Sequence, residues 1–180
     1  PAGVFIHPAI EACLTLSTSE GIAPDAIERV TLQVHPLGVG LTGKREPHGA
    51  YDAQISIYHW AAAALVNKAA GLREASDASV TDPGIIAMRR RVIANADDAL
   101  RPDEAIAIAE LRDGTTQRVH VPHCLGSAAR PMSDRDLEAK FLAQASDVLP
   151  LPRARQLVDM CWNLHAAAIV SRAAPEIWGH

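Results

Sequence analysis

Hydrophobic and polar positions alternate along two parts of the chain. Residues 30–34 read Val-Thr-Leu-Gln-Val, which is the period of a strand with one buried face. The same alternation lies on both sides of Asp113-Gly114, a dipeptide that favours a tight hairpin turn. Residues 92–96 form another strand candidate. These patterns predict an antiparallel sheet that contains one clear hairpin.

Apolar residues at helical spacing predict five helices. The segment from Tyr51 to about Ala70 is apolar nearly all round, so we expect it to form the central helix. Pro8 suits the first turn of a helix and Gly21 suits its end. Ser133 is spaced as a capping residue for a helix that follows it. The predicted helices cover, approximately, residues 8–20, 51–70, 83–91, 133–149 and 153–168.

Residues 36–50 contain four glycines and two prolines, and this composition predicts a long loop. Long ordered loops in compact domains often carry function. The predicted element order is α-β-α-α-β-β-β-α-α. It indicates an α+β fold, a small antiparallel sheet with a hairpin covered by helices, over one domain of residues 1–180.

The composition is that of a globular protein with few aromatic side chains. Of the 180 residues, 48% are hydrophobic and 4% aromatic, so the core must be built from Ala, Val, Ile and Leu. The net charge is −4 and the cations are scattered, which argues against a nucleic-acid partner. No apolar stretch is long enough to span a membrane, so we expect no membrane partner.

The cysteines and the start of the chain bear on its cellular context. Cys13, Cys124 and Cys161 are widely spaced and odd in number, which is typical of reduced thiols in a cytoplasmic protein. The chain begins at Pro1 with apolar residues and without an initiator methionine. We therefore expect a fragment of a longer chain or a processed subunit.

Two short clusters invite functional readings that their spacing does not support. His120, His123 and Cys124 are possible metal ligands, but no fourth ligand has suitable spacing, so we interpret them as a strand end and predict no metal site. The run Arg89-Arg90-Arg91 is best explained by interaction with a helix C-terminus. Phosphate-loop, nucleophile-elbow and zinc-protease motifs do not occur.

A third cluster suits carboxylate binding. Lys44, Arg45, His48 and Tyr51 place two cations, an imidazole and a phenol on one flexible stretch at a helix entrance. Arginine offers two parallel donors to a carboxylate and lysine a point charge. A solvated loop is the alternative. His7, next to Pro8, is either a helix cap or a ligand-facing residue, and the residues alone favour the cap.

Five segments of the chain, taken in order, carry a family resemblance. They are residues 7–12 (HPAIEA), 22–32 (IAPDAIERVTL), 56–65 (SIYHWAAAAL), 111–115 (LRDGT) and 131–141 (PMSDRDLEAKF). No single segment is specific, but their order and spacing together are, and they cover residues 1 to about 165. Together they resemble the C-terminal domain of the MmgE/PrpD family.

This resemblance implies a two-domain homodimer. A larger helical N-terminal domain, absent here, would precede the α+β domain, and the active site would lie in the cleft between them. The family includes 2-methylcitrate dehydratase, cis-aconitate decarboxylase and iminodisuccinate epimerase, whose common reactions need no metal or organic cofactor. We therefore expect a cofactor-independent, cytoplasmic enzyme with a polycarboxylate substrate and a helical N-terminal domain or subunit as partner.

The resemblance also implies roles for the residues above. All three reactions develop negative charge next to a carboxylate, so the site needs cations and one acid or base. His7 becomes the catalytic candidate, and Lys44, Arg45, His48 and Tyr51 become the substrate-binding candidates.

Residues 52–56 (DAQIS) depart from the family's frequent Glu-Ala-Lys-Phe-Ser, which leaves the substrate open. We expect a lyase resembling 2-methylcitrate dehydratase. The enzyme alternatives are a cis-aconitate decarboxylase and a dicarboxylate epimerase, and a non-catalytic dimerisation or ligand-binding module is a further alternative.

Overall fold

A computed structural model describes residues 2–166 of the chain, which form a four-stranded sheet and a set of helices. Short 3-10 turns also occur, at Val4–Ile6, Pro24–Ala26, Arg73–Ala75 and Leu164–Ala166. The longer elements are α1 (His7–Thr18), β1 (Ile27–Val34), α2 (Pro36–Thr42), α3 (Ala50–Ala53), α4 (Ile57–Asn67), α5 (Asp77–Thr81), α6 (Pro83–Arg89), β2 (Val92–Ala96), β3 (Ala105–Leu111), β4 (Thr116–Val121), α7 (Asp134–Ala145) and α8 (Leu151–Trp162).

The sheet has the order β2-β1-β3-β4. Its strand pairs β1–β3 and β3–β4 are antiparallel, and Gly114, with φ 84°, makes the turn of the predicted hairpin. The α+β class is therefore confirmed. The sheet is mixed, however, because β1 and β2 pair in parallel with Val30 opposite Val92. Parallel neighbours need a long crossover, and here the helices between residues 36 and 89 supply it.

Small side chains bring the helices close to the sheet and to one another. Ala61 to Ala64 of α4 and Ala105, Ala107 and Ala109 of β3 are fully buried. The helix α1 packs against α4 and against the β3–β4 hairpin, while α4 also packs against α6. A core with few aromatic residues thus fills its interior by close approach of the backbones.

The expectation of a loop over residues 36–50 is wrong in its first half. Residues 36–42 form α2, which begins with Pro36 in the first turn and with His35 as its cap. The ring Nδ1 of His35 accepts the amide N–H of Leu37 at 3.2 Å. Gly38 faces strand β1, and a Cβ there would lie 3.1 Å from Val34 Cγ2. Gly38 thus permits close packing of a helix against the strand. The glycine content of the segment had instead indicated a loop.

The predicted central helix over residues 51–70 is divided in the structure. Helix α3 ends at Ala53, and Ser56, in an extended conformation, caps α4 by accepting the His59 amide at 3.1 Å. The same Ser56 hydroxyl donates to the Lys44 carbonyl at 2.5 Å. At the other end, Lys68 adopts φ 56° and terminates α4, so the helix does not reach Ala70.

The other helices and strands agree in part with the boundaries predicted from the sequence. The first helix and the strand at 92–96 lie where they were predicted, while the short helix α5 was not predicted. The last helix begins at Leu151, two residues before the expected Arg153, because Pro152 occupies its first turn. Its expected end near Ala168 lies outside the described residues.

The chain divides into two compact units. The first ends at Pro131 and contains the sheet with α1 to α6. The second begins at Met132 and contains α7 and α8, which pack against each other. Ser133 and Asp136 form the predicted capping box of α7. The expectation of one domain over residues 1–180 stays a prediction.

None of the helices in the described part of the chain is long and apolar enough to cross a membrane.

A buried histidine on α4 makes the stability of this fold depend on pH. His59 is fully buried, and its Nε2–H donates to the Glu74 carbonyl at 2.7 Å. Burial lowers the pKa of His59, and the charge of Arg89 lowers it further against the opposing effect of Glu74. The neutral ring is therefore the folded form.

Because unfolding frees His59 to take up a proton, the free energy of unfolding is highest above the ordinary histidine pKa of about 6.5. It falls as the pH drops from there towards the lower folded-state pKa. His59→Gln keeps an N–H donor but cannot titrate, so we expect a shallower loss of stability between about pH 7 and pH 5. Urea denaturation midpoints measured across this range test the expectation. If the denaturation midpoint of His59→Gln falls with pH as steeply as that of the wild type, our account is contradicted.

Candidate functional site

His7 lies at the first residue of α1, where its exposed side chain lines a cavity of about 430 Å³. Pro8 occupies the first turn of the helix, as the sequence predicts. The cavity is also lined by Phe5, Asp103 and Cys124 and by residues 126–129. His7 therefore faces a partly apolar hollow on the surface of the first unit.

Asp103 gives this cavity a fixed negative group. Its Oδ2 accepts a hydrogen bond from His123 Nδ1 at 2.7 Å, and this bond holds the pKa of Asp103 below its ordinary value. Cys124 differs, because burial, followed by the charges of Glu11 and Asp103, raises the pKa of its thiol. A protonated thiol is a poor nucleophile. We therefore assign Cys124 no catalytic role and treat it as a lining residue of the cavity.

The loop that closes the cavity is bound to α1 itself. Glu11, one turn after His7, accepts the amide N–H of Leu125 at 2.8 Å and a hydrogen bond from Arg130 Nη1. Gly126, with φ 91°, allows the turn between these two contacts. The position of the loop relative to His7 is thus set by one carboxylate on the same helix.

The Lys44–Tyr51 stretch is ordered by carboxylates. Asp52 makes an ion pair with Lys44 Nζ at 2.7 Å and accepts the backbone N–H of His48 at 3.1 Å. The bond from Lys44, followed by that from His48, lowers the pKa of Asp52. Asp77 accepts the N–H of Ala50 at 2.6 Å. Two carboxylates thus bind three points of this loop, although much of it is exposed.

A second cavity, of about 360 Å³, lies between this loop and the C-terminal end of α6, and we call it the arginine pocket. Its wall combines charged and apolar side chains. The residues that line it are Arg45, Glu46, Pro47, His48, Ile86, Arg89 and Arg90.

The structure brings together only part of the predicted set. Arg45 and His48 share the arginine pocket, whereas His7 lines the other cavity. Lys44 is held by Asp52, and Tyr51 is 81% exposed and lines neither cavity. A backbone hydrogen bond of 2.9 Å from Gly3 N–H to the Gln54 carbonyl joins the segment before His7 to the segment after Tyr51.

Arg89 and Arg90 line the arginine pocket, although the sequence analysis did not include them among the binding candidates. The interpretation placed them at a helix C-terminus, and they do end α6, but Arg89 is only 8% exposed. A signal for its burial was present in the spacing, because Ile85, Met88 and Arg89 occupy the buried stripe of α6 at helical intervals. A cation that continues an apolar stripe is a candidate for a role inside the protein.

The histidines of the β4 end each have a carboxylate partner. His120 Nε2 donates to Glu104 at 2.8 Å, and His123 donates to Asp103 as described above. Within residues 2–166, no three or more His, Cys, Asp or Glu side chains are arranged to hold a metal ion.

Comparison with known proteins places this α+β architecture in a class. A family model described as the MmgE/PrpD C-terminal domain matches residues 1–164, a span that reaches from the first compact unit into the second. The chain belongs to the MmgE/PrpD family and corresponds to its C-terminal domain. No curated protein matches the chain.

The contacts of Asp52 predict a local effect of its removal. Asp52→Ala deletes the Lys44 ion pair and the acceptor of the His48 amide. We expect the His48 amide to exchange with solvent severalfold faster, because the carboxylate that accepts its hydrogen bond is lost. Hydrogen exchange followed by mass spectrometry or NMR measures the change.

Asp98→Ala is the matched control for Asp52→Ala, since Asp98 is an exposed aspartate outside both cavities. If the two variants exchange the His48 amide at the same rate, Asp52 does not order the loop.

Proposed function

We propose that this chain is the C-terminal half of a cofactor-independent lyase or isomerase acting on a di- or tricarboxylate, with 2-methylcitrate dehydration as the first reaction to test. Membership of the MmgE/PrpD family over residues 1–164 supports the general class. The position of His7 on the wall of the 430 Å³ cavity is the observation that carries the proposal. Its complete form would be a cytoplasmic homodimer with a helical N-terminal domain.

The proposed dehydration starts with removal of a proton from a carbon next to a carboxylate. The electron pair of that C–H bond forms the new carbon–carbon double bond, and the neighbouring hydroxyl group leaves with a proton as water. Negative charge builds up during this step, so the reaction needs one acid or base and fixed cations. Decarboxylation and epimerisation of related acids make the same demands.

His7 is the proton-transfer candidate in this half of the enzyme. An imidazole exchanges protons near neutral pH, and the exposed ring of His7 is accessible from the cavity. Asp103, on the same wall, is held ionised by His123. The cavity wall therefore carries an imidazole and an ionised carboxylate, and the second wall of the cleft would come from the helical domain.

The proposed substrate-binding residues divide into two kinds. Arg45 and His48 line the arginine pocket and offer donors for a carboxylate. Lys44 contributes through its ion pair with Asp52, which shapes the loop. Tyr51 has an exposed phenol, and we propose it as a further hydrogen-bond donor to the substrate.

We expect His7→Ala to lower kcat/KM of the complete enzyme by ~10²–10⁴, which is the usual contribution of a positioned acid or base. The melting temperature should change little because His7 is exposed. The assay is turnover of 2-methylcitrate, with cis-aconitate and iminodisuccinate as alternative substrates.

The control for His7→Ala is His165→Ala, another exposed histidine, which lies in the second unit. Activity within about twofold of wild type in His7→Ala would remove His7 from the mechanism. Absence of all three reactions in the wild-type protein would instead favour a non-catalytic module.

We also expect the 180-residue chain by itself to have no dehydratase activity, because one wall of the cleft and its proton-transfer groups would be missing. Mixing it with a separately produced helical domain should restore turnover. Circular dichroism of the separate chain must show folded secondary structure for the comparison to count. Robust turnover by the chain alone would contradict the two-domain proposal.

A further inference from the structure

Three guanidinium groups converge on the arginine pocket with a single carboxylate among them. Arg45, Arg89, Arg90 and Glu46 all line this pocket, so the charged side chains that the structure places on its wall sum to +2 when His48 is neutral. The whole chain, by contrast, has a net charge of −4. The pocket is therefore a local concentration of positive charge in an acidic protein, which attracts anions.

These arginines differ from the paired arginines of the chain. Arg29, Arg101 and Arg130 each make an ion pair with a glutamate. Across residues 2–166, no salt bridge within 4.0 Å involves Arg45, Arg89 or Arg90. Their charges remain uncompensated at close range, although Glu46 lines the same pocket.

Arg89 is the least ordinary member of the group. Its side chain is over 90% buried, and its Nη1 has no hydrogen-bond partner. A buried donor without an acceptor costs free energy, and each such group in a folded protein calls for an explanation. Because Arg89 also lines the pocket, an anion bound there would lie beside this guanidinium and offset its buried charge.

The other two arginines of the pocket, Arg45 and Arg90, are placed so that their N–H groups can bind an anion. The guanidinium of Arg45 lies over the ring of Tyr58, 4.4 Å from its centroid, which orients the group while leaving its N–H edges available. Arg90 is the exposed C-cap residue of α6, directly after Arg89. Pro47 and Ile86 add an apolar surface that limits access of water.

We propose that the arginine pocket binds a dianion with carboxylate or phosphoryl oxygens, and that Arg89 and Arg90 are binding residues of this site together with Arg45 and His48. The charge of +2 fits a dianion better than a monoanion. The inference deepens the proposed function, since a dicarboxylate ligand would be of the proposed substrate class. Its test is equilibrium binding and needs no turnover.

The experiment is isothermal titration calorimetry on the complete protein at about pH 8 and constant ionic strength. Succinate and phosphate are the two dianion probes, and acetate is the monoanion probe. At least one dianion should bind, and acetate should bind ~10-fold more weakly or not at all. Tighter binding of succinate assigns the pocket to dicarboxylates, and tighter binding of phosphate assigns it to a phosphorylated ligand.

Four variants locate the binding site. Arg90→Gln and Arg89→Met should each weaken dianion binding by ~10-fold or more, because each removes a charged hydrogen-bond donor. Glu46→Gln should strengthen it severalfold, because Glu46 is the one carboxylate that the described residues contribute to the wall. Arg118→Gln, an exposed arginine on β4 outside both cavities, should leave it within about twofold of wild type.

The opposite signs expected for Glu46→Gln and Arg90→Gln separate binding from a structural role. Both residues are exposed, so these variants keep the test decisive if Arg89→Met fails to fold. No dianion binding at millimolar concentration, or binding unchanged by all four variants, would overturn the inference.

The outcome is also distinguishable from failure of the proposed function. Dianion binding that depends on Arg90 in a protein without turnover would refute the enzyme proposal and keep the site. Turnover that depends on His7, with dianion affinity and KM unchanged in Arg89→Met and Arg90→Gln, would support the enzyme proposal and refute the site.

Discussion

The packing of α4 against both α1 and α6 is the contact on which the rest of the structure depends. Four successive alanines, Ala61 to Ala64, are fully buried in α4, and α1 contributes Ala9 and Ala12 to the same core. Short side chains let these helices approach closely, and close approach leaves little freedom in their positions. His7 at the start of α1 and Arg89 at the end of α6 are therefore placed by one shared neighbour. The packing of α4 therefore fixes where both of these side chains lie.

Carboxylates fix the loops that surround this core. Glu11 holds the loop at residues 124–130, Asp52 holds the Lys44–Tyr51 loop, and Asp77 binds the start of α3. Each uses charge-assisted hydrogen bonds to backbone amides or to cations, which are stronger than neutral ones. These three carboxylates are therefore committed to structural contacts. The guanidinium groups of Arg45, Arg89 and Arg90, by contrast, line a cavity and make no salt bridge within 4.0 Å among the described residues.

The local patterns of the sequence were sufficient for one strand, one turn and one helix cap. Alternation in β1, the Asp113-Gly114 turn and the Ser133 cap are each set by neighbours within a few residues, and all three occur as predicted. The predicted element boundaries were wrong where one residue type occurs in two structural roles. Gly38 indicated a loop but serves a close helix contact, and Ser56 divides a continuous apolar pattern because its hydroxyl caps α4. Backbone approach and capping are settled by contacts that composition does not encode.

The amino-acid pattern was enough to assign the α+β class and the family, and to show which types of residue are available for carboxylate chemistry. The tertiary structure decided the parallel pairing of β1 with β2, because the helical crossover between them has no local signature. It also decided that His7 and Arg45 line different cavities and that Arg89 joins Arg45 and His48. Residues 45 and 89 are far apart along the chain, and they meet only because α6 packs on α4 beside the loop that Asp52 and Ser56 hold in place. Such a meeting follows from packing over the whole first unit, which no short segment of sequence contains.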